Sequence, residues 1–195
     1  MPSSNHELPS HLTREYPFIL ARPYMCVGAV VEAILRRRGI TAISQMEVAE
    51  FLGICLPPGA QTSISNVRFS DDPEQWGMSL SSDGLNRIFD SFGVPLEERF
   101  TSASTFEDWE FVDRVTEGLV AGFDLACGYE YCALHGTGVA RSGHVSIIAG
   151  MQDEDTFVLQ DPGPQEPGLK HVSATTLYGA IRKREDGLWA VYPKS

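Results

Sequence analysis

Residues 143–164 read GHVSIIAGMQDEDTFVLQDPGP. HVSIIAGM and TFVLQ are short, apolar, β-branched runs separated by the polar cluster QDED, the pattern of a hairpin of two buried strands. His144 opens the first strand and Asp161 closes the second. Their positions are symmetric about a point between Gln152 and Asp153, inside the expected turn, so their side chains are expected to meet across the open end of the hairpin. A carboxylate there holds an imidazole in one tautomer and stabilises its charged form, the orienting role in a Cys-His-Asp triad. Pro162 and Gly163 stop the strand directly after the aspartate, which puts the pair at a sheet end where a cleft can open. Taken alone, the pair equally suits a His and an Asp that close a hairpin without chemistry.

The third member of such a triad is found far upstream. After the proline-punctuated stretch LARPYM comes CVGAVVEAILRRRG, residues 26–39, read as a helix over 26–38. Pro23 fixes the approach, the apolar residues lie almost all round the helix, and three arginines followed by Gly39 suit its C-terminal end. Cys26 therefore sits on the first turn, where the positive end of the helix dipole favours a thiolate, the nucleophilic form of cysteine. A lone cysteine on an apolar helix otherwise reads as a packed small hydrophobe, so the assignment depends on His144 and Asp161 reaching it.

Working outward, Ser44 with Glu47 three residues on forms a capping-box signature for a short helix running to about Phe51. Residues 54–80, with tandem prolines, a polar tract and the isolated Trp76, show little periodicity and read as a functional loop, a cleft wall or lid. Ser82 or Asp83 suits the cap of a helix bearing Leu85, Ile88, Phe89 and Phe92. FEDWEFVDRVTEGL repeats the helical period through Trp109, Val112, Val115 and Leu119. Beyond Gly122 the pattern turns to strands: FDLACGYEYCAL, then the 143–164 hairpin. SATTLYGAIRKR follows as a capped helix and GLWAVYP as a last strand ended by Pro193. Helices first and an antiparallel sheet afterwards make an α+β fold. Residues 1–15 read as a weakly ordered arm, and 16–195 as a single domain.

An early cysteine on a helix N-terminus, a small helical lobe, then GH opening a strand and a second strand ending in DP resemble the papain-like cysteine peptidases of the C39-like family. CVGAVVEAILRRRGITAISQMEVAEFLG resembles their nucleophile helix and the helix after it, and GHVSIIAGMQDEDTFVLQDPGP their histidine and aspartate hairpin. The resemblance implies a helical lobe carrying the nucleophile packed on an antiparallel β-sheet lobe. It also implies Cys26 as nucleophile, His144 as general base and then acid, and Asp161 as the orienting residue. Such peptidases carry a glutamine a few residues before the cysteine, whose amide completes the oxyanion hole. Here no glutamine precedes Cys26. The backbone N–H of Cys26 supplies one donor, and the candidates for a second are Arg22 first, then Tyr16, then Trp76, with Asn5 also in range.

Composition narrows the alternatives. A formal net charge of −11 and a pI near 4.8 argue against nonspecific nucleic-acid binding and against an anionic membrane surface. No apolar run approaches the roughly 20 residues that span a bilayer, and the first residues lack the basic start and apolar core of a secretory signal. The expected compartment is the cytoplasm, with signal-independent export left open, and the four scattered cysteines are expected as free thiols. Cys127, Cys132 and His135 form C-x4-C-x2-H, but with no fourth ligand in sequence reach they do not make a zinc site. FDLACGYEYC reads instead as one strand with the two thiols on opposite faces, and His135 as a loop histidine or a groove-lining one. No cofactor or metal is expected. Two classes of function survive: a thiol hydrolase or acyltransferase working on a peptide, protein or amide substrate through a Cys26 acyl-enzyme, and a noncatalytic module that keeps the cleft. The oligomeric state is not encoded in any pattern found.

Overall fold

The computed structural model describes residues 13–80, 84–138, 142–165 and 167–194. Ser82, Asp83, Asn5 and most of the N-terminal arm, all named above, lie outside the described residues. The first helix, α1 (Cys26–Arg37), buries every residue from Val27 to Leu35, as its all-round apolar pattern requires. Gly39, at φ +79°, takes the chain out of it. Helix α2 (Gln45–Leu52) starts from a complete capping box, with Ser44 N–H donating to Glu47 Oε2 at 2.9 Å and Met46 N–H to Ser44 Oγ at 3.2 Å.

The stretch read as a structureless wall has order of its own. Strands β1 (Ile54–Leu56) and β2 (Val67–Phe69) pair in parallel, and Cys55 exchanges hydrogen bonds with Gly77. Three-residue strands are too short for a periodicity signal. Helix α3 (Gly84–Ser91) buries Leu85, Ile88 and Phe89 and leaves Phe92 beyond its end, 42% exposed. Strand β3 (Leu96–Ser102) follows. Helix α4 (Asp108–Val120) has its own acidic capping box, Glu107 N–H donating to Glu110 Oε2 at 2.9 Å. Its buried stripe is Phe111, Val115 and Leu119, a spacing of four. Of the expected stripe only Trp109 is corrected, since it faces solvent, whereas Val112 packs half-buried against the same core.

Strand β4 (Asp124–Glu130) ends where the five-residue helix α5 (Tyr131–His135) begins, so FDLACGYEYC is not one strand and Cys132 belongs to a helix. Strands β5 (Gly143–Asp153) and β6 (Thr156–Asp161) are the expected hairpin, turning at Glu154 and Asp155. Then come β7 (Gly168–Ser173), α6 (Ala174–Arg184), capped by Ser173 Oγ accepting from Thr176 N–H, and β8 (Gly187–Pro193). The large sheet is antiparallel throughout, in the order β3-β8-β4-β5-β6-β7.

Alternation along β4 assigns the two sheet faces. Ala126, with Val145, Ile147, Val158, Trp189 and Val191, packs on α1, α2 and α3. Leu125, Cys127 and Tyr129 pack with Ile148, Phe157 and Leu159 against α4 and α6. The sheet thus has helices on both faces, one layer more than a helical lobe resting on a sheet lobe. The fold class is α+β, as the element order implied. Among the described residues, no helix is long and apolar enough to cross a membrane, and all four cysteines are free thiols.

Candidate active site

Cys26 is delivered by a tight turn. Met25 N–H donates to Arg22 O at 2.9 Å, Pro23 holds the second position, and Tyr24 takes the third at φ +66°. That position normally belongs to glycine, and a side chain there costs roughly 1–2 kcal/mol. Gln45, 8% exposed, ties the turn down: its Oε1 accepts from Arg22 N–H at 2.8 Å and its Nε2 donates to Leu20 O at 3.1 Å. Its own N–H donates to Glu32 Oε2 at 2.8 Å, which locks α2 to the middle of α1. The helices approach so closely there that a Cβ on Gly28 would lie 2.9 Å from Gln45 Cβ. A glutamine thus serves the nucleophile turn from downstream, as a clamp.

His144 and Asp161 meet, with His144 Nε2 2.8 Å from Asp161 Oδ1, but the hairpin register is not the symmetric one. Asp153 pairs with Thr156, and two irregularities, between Ile148 and Gly150 and between Met151 and Asp153, each shift the pairing by one residue. At the open end Ile147 faces Gln160, which sets Asp161 diagonal to His144, two places along the strand. An offset of two keeps both side chains on one face; a single bulge would have turned them apart. Gly163 N–H donates to the same carboxylate oxygen at 2.8 Å and fixes its orientation.

With Nε2 on Asp161, the other ring nitrogen of His144 is left for the thiol of Cys26, to which His144 is hydrogen-bonded. Burial alone would raise the Cys26 pKa, but the hydrogen bond and charge of His144 and the main-chain N–H groups of Val145 and Val27 outweigh it, and the net shift is downward. Burial likewise works against the His144 cation, yet Asp161 and the Cys26 thiolate raise it to about 9. Asp161 is held below the usual carboxylate range: burial opposes its charge, and His144, the Gly163 N–H and His135 prevail. The three residues favour an imidazolium, a thiolate and a carboxylate side by side.

His135 corrects the loop reading. It lies on α5 with Nε2 3.5 Å from Asp161 Oδ2, the carboxylate oxygen that His144 does not use, and its ring is 4.2 Å from that of Tyr131. Tyr129 and Tyr131 also set their rings edge-on to His144, at 5.6 and 5.2 Å. Tyr129 Oη and Ser146 Oγ share a hydrogen bond of 2.8 Å. The imidazole of His144 is therefore flanked edge-on by two aromatic rings. The sequence signal was the spacing Tyr129-x-Tyr131-x3-His135, which carries no meaning until the strand-to-helix junction at Glu130 is known.

A cleft of about 360 Å³ opens above Cys26 and His144, walled by Tyr24, Trp76 and Met78 on one side and by Tyr131 and Pro164 on the other. Trp76, Gly77 and Met78 come from the 54–80 stretch, which does serve as a cleft wall. The three proposed oxyanion donors sit elsewhere or are occupied. Tyr16 Oη donates to Asp124 Oδ1 at 2.8 Å, remote from the cleft, and the single donor of Trp76 is used on Ser70 O at 2.8 Å. Arg22 lines a neighbouring cavity with Met46 and Leu56 and is not among the residues that line the cleft above Cys26. Cys127 is sealed in the core, where burial pushes its pKa up, and among the described residues no group of His, Cys, Asp and Glu is placed to hold a metal.

No family model matches the chain, and no curated protein matches it. Among solved structures, the chain is similar to an inferred C39-like peptidase from Bacillus anthracis, with a TM-score of 0.62 and 12% sequence identity over 92% of this chain and 95% of that one. The chain thus shares the α+β fold of that structure along nearly its whole length. At that identity the likeness speaks for the fold alone.

Proposed function

We propose that the protein is a thiol hydrolase that cleaves a peptide or amide bond through a Cys26 acyl-enzyme. The observation that carries this reading is the continuous chain Cys26, His144, Asp161 at the base of an open cleft, with Asp161 2.8 Å from the imidazole on the side away from the thiol. In this reading the Cys26 thiolate attacks the carbonyl carbon, and His144 donates its proton to the departing amine. The C–N bond breaks and a thioester forms. Neutral His144 then takes a proton from water, hydroxide adds to the thioester, and the released thiolate regains its imidazolium partner. An amine in place of water gives acyl transfer by the same steps. The occupied donors of Tyr16 and Trp76 favour one second reading, a cleft that binds without turnover, because they leave the Cys26 N–H at the start of α1 without either of these side chains beside it at an oxyanion.

Thiol chemistry tests the reading without a substrate. At mildly acidic pH, limited iodoacetamide is expected to label Cys26 ahead of Cys55, Cys127 and Cys132, as located by peptide mass mapping. The His144→Ala variant is expected to lose that preference. The ion pair exists above the depressed pKa of Cys26 and below the His144 pKa of about 9, so turnover is expected to be bell-shaped in pH, with its basic limb near 9. Protection of Cys26 until the protein unfolds defeats the nucleophile assignment.

The side-chain oxyanion candidates lead to a second test. Because Arg22 lines the neighbouring cavity and is not part of the lining of the cleft above Cys26, Arg22→Ala is expected to change turnover by less than about threefold, whereas removal of a true oxyanion donor costs about two orders of magnitude. A hundredfold fall in kcat with little change in KM would restore Arg22 as the donor.

A further inference from the structure

We propose that the aromatic corner beside Cys26 is a subsite for a large apolar side chain of the acyl donor, with Tyr24 as its specificity-determining residue. The inference rests on the thiol-hydrolase reading of the site.

Tyr24 is two residues before the nucleophile, at the one position of the turn where glycine would sit without strain. Its backbone conformation gains nothing from a tyrosine, so what the residue contributes is its ring. That ring stands edge-on to Trp76, with centroids 5.9 Å apart, and 37% of the residue is open to solvent at the cleft. Trp76 cannot swing away, because its indole N–H is tied to Ser70 O at 2.8 Å and the next residue, Gly77, is hydrogen-bonded in both directions to Cys55. Two rings at right angles form an apolar angle, extended by Met78, Val27 and Pro23. Aromatic and aliphatic side chains fill such an angle well.

The polar lining of the cleft comes from a different segment. Arg184 and Asp186, at the end of α6 and just beyond it, are the charged groups that border the cleft among the described residues. They stand apart from the apolar corner at Tyr24 and Trp76 and interact with each other. With a volume of about 360 Å³ the cleft is at the small end of ligand sites, enough for a few extended residues and too little for a folded loop.

The test uses N-acetyl-aminoacyl chloromethyl ketones carrying Gly, Leu or Phe, which alkylate an active-site thiol. Each rate is divided by the probe's intrinsic rate with glutathione and by the protein's own iodoacetamide rate at Cys26. The Phe and Leu probes are expected to exceed the Gly probe by about tenfold or more in the unmodified protein. Tyr24→Gly is expected to bring the ratio near unity with the melting temperature unchanged or higher, since the strain is relieved, and Tyr24→Phe to keep the preference. Trp76→Ala is the second variant, expected to lose it as well. Normal iodoacetamide labelling of Cys26 with no apolar preference in the unmodified protein overturns the subsite and leaves the thiol reading intact. A preference unaltered in both Tyr24→Gly and Trp76→Ala overturns the assignment to this corner. A Cys26 that reacts with neither reagent class overturns the reading beneath it.

Discussion

Asp161→Asn is expected to lower turnover by about four orders of magnitude while the protein stays folded. Asp161 accepts from His144 at 2.8 Å and from Gly163 N–H at 2.8 Å through one oxygen and faces His135 through the other, so an amide fits the space without a cavity. What changes is the proton on the imidazole. A carboxylate requires N–H at Nε2 and leaves the other ring nitrogen to exchange a proton with Cys26. An asparagine is at best an uncharged acceptor there, and where its NH2 turns toward Nε2, against the Gly163 N–H, Nε2 accepts and the proton sits on the wrong nitrogen. The loss of charge also withdraws one of the two supports that hold the imidazolium near pKa 9 against burial, so the basic limb of the pH profile is expected to move to lower pH. Kinetics on a fluorogenic peptide library, with circular dichroism as the folding control, gives the comparison. Unchanged turnover would remove Asp161 from the site.

How much of this was legible depended on whether the deciding interaction is local. Cys26 at a helix start, Ser44 with Glu47, and the β5–β6 hairpin are each written within a dozen or so residues, through a cap, a period or a turn, and the structure has all three. The bulges are not so written. Residues 148–153 differ little from a regular strand in sequence, and the two-place offset of Asp161 from His144 is decided by how β5 packs on β4 as well as β6. Strand β7 escaped because LKHVS is an edge whose outward residues, such as Leu169, are exposed, leaving only half of an alternating pattern. The oxyanion candidates have a related explanation. Tyr16 and Trp76 carry donors of the right kind, but sequence does not show that their hydrogen atoms are claimed by Asp124, more than a hundred residues from Tyr16, and by Ser70 O. His135 shows the converse case: a strand-to-helix switch at Glu130 turns a residue expected in a loop toward the Asp161 carboxylate.

The far end of the nucleophile helix carries the second large effect. Asp124, at the start of β4 and fully buried, accepts from Tyr16 Oη at 2.8 Å, Arg37 at 2.7 Å and Arg38 Nε at 2.5 Å. The two arginines close α1, where cations also suit the helix dipole, and the carboxylate fastens that end to the sheet. Asp124→Ala is expected to destabilise the protein by about 3 kcal/mol, the low end for breaking a buried ion pair, because the Arg37 and Arg38 side chains keep 29% and 16% of their exposure and can recover water. For a chain of this length that is a fall in melting temperature of about 6–12 °C. Tyr16 gives an internal check. Its phenol is pushed well above the ordinary value by burial and then by the Asp124 charge, so in Asp124→Ala its ionisation, followed by ultraviolet absorbance, is expected at lower pH than in the unmodified protein. A loss under about 1 kcal/mol would mean that apolar packing alone positions α1. In that case the aim of Cys26 at His144 depends on the other end, where Gln45, itself held by Glu32, grips the turn.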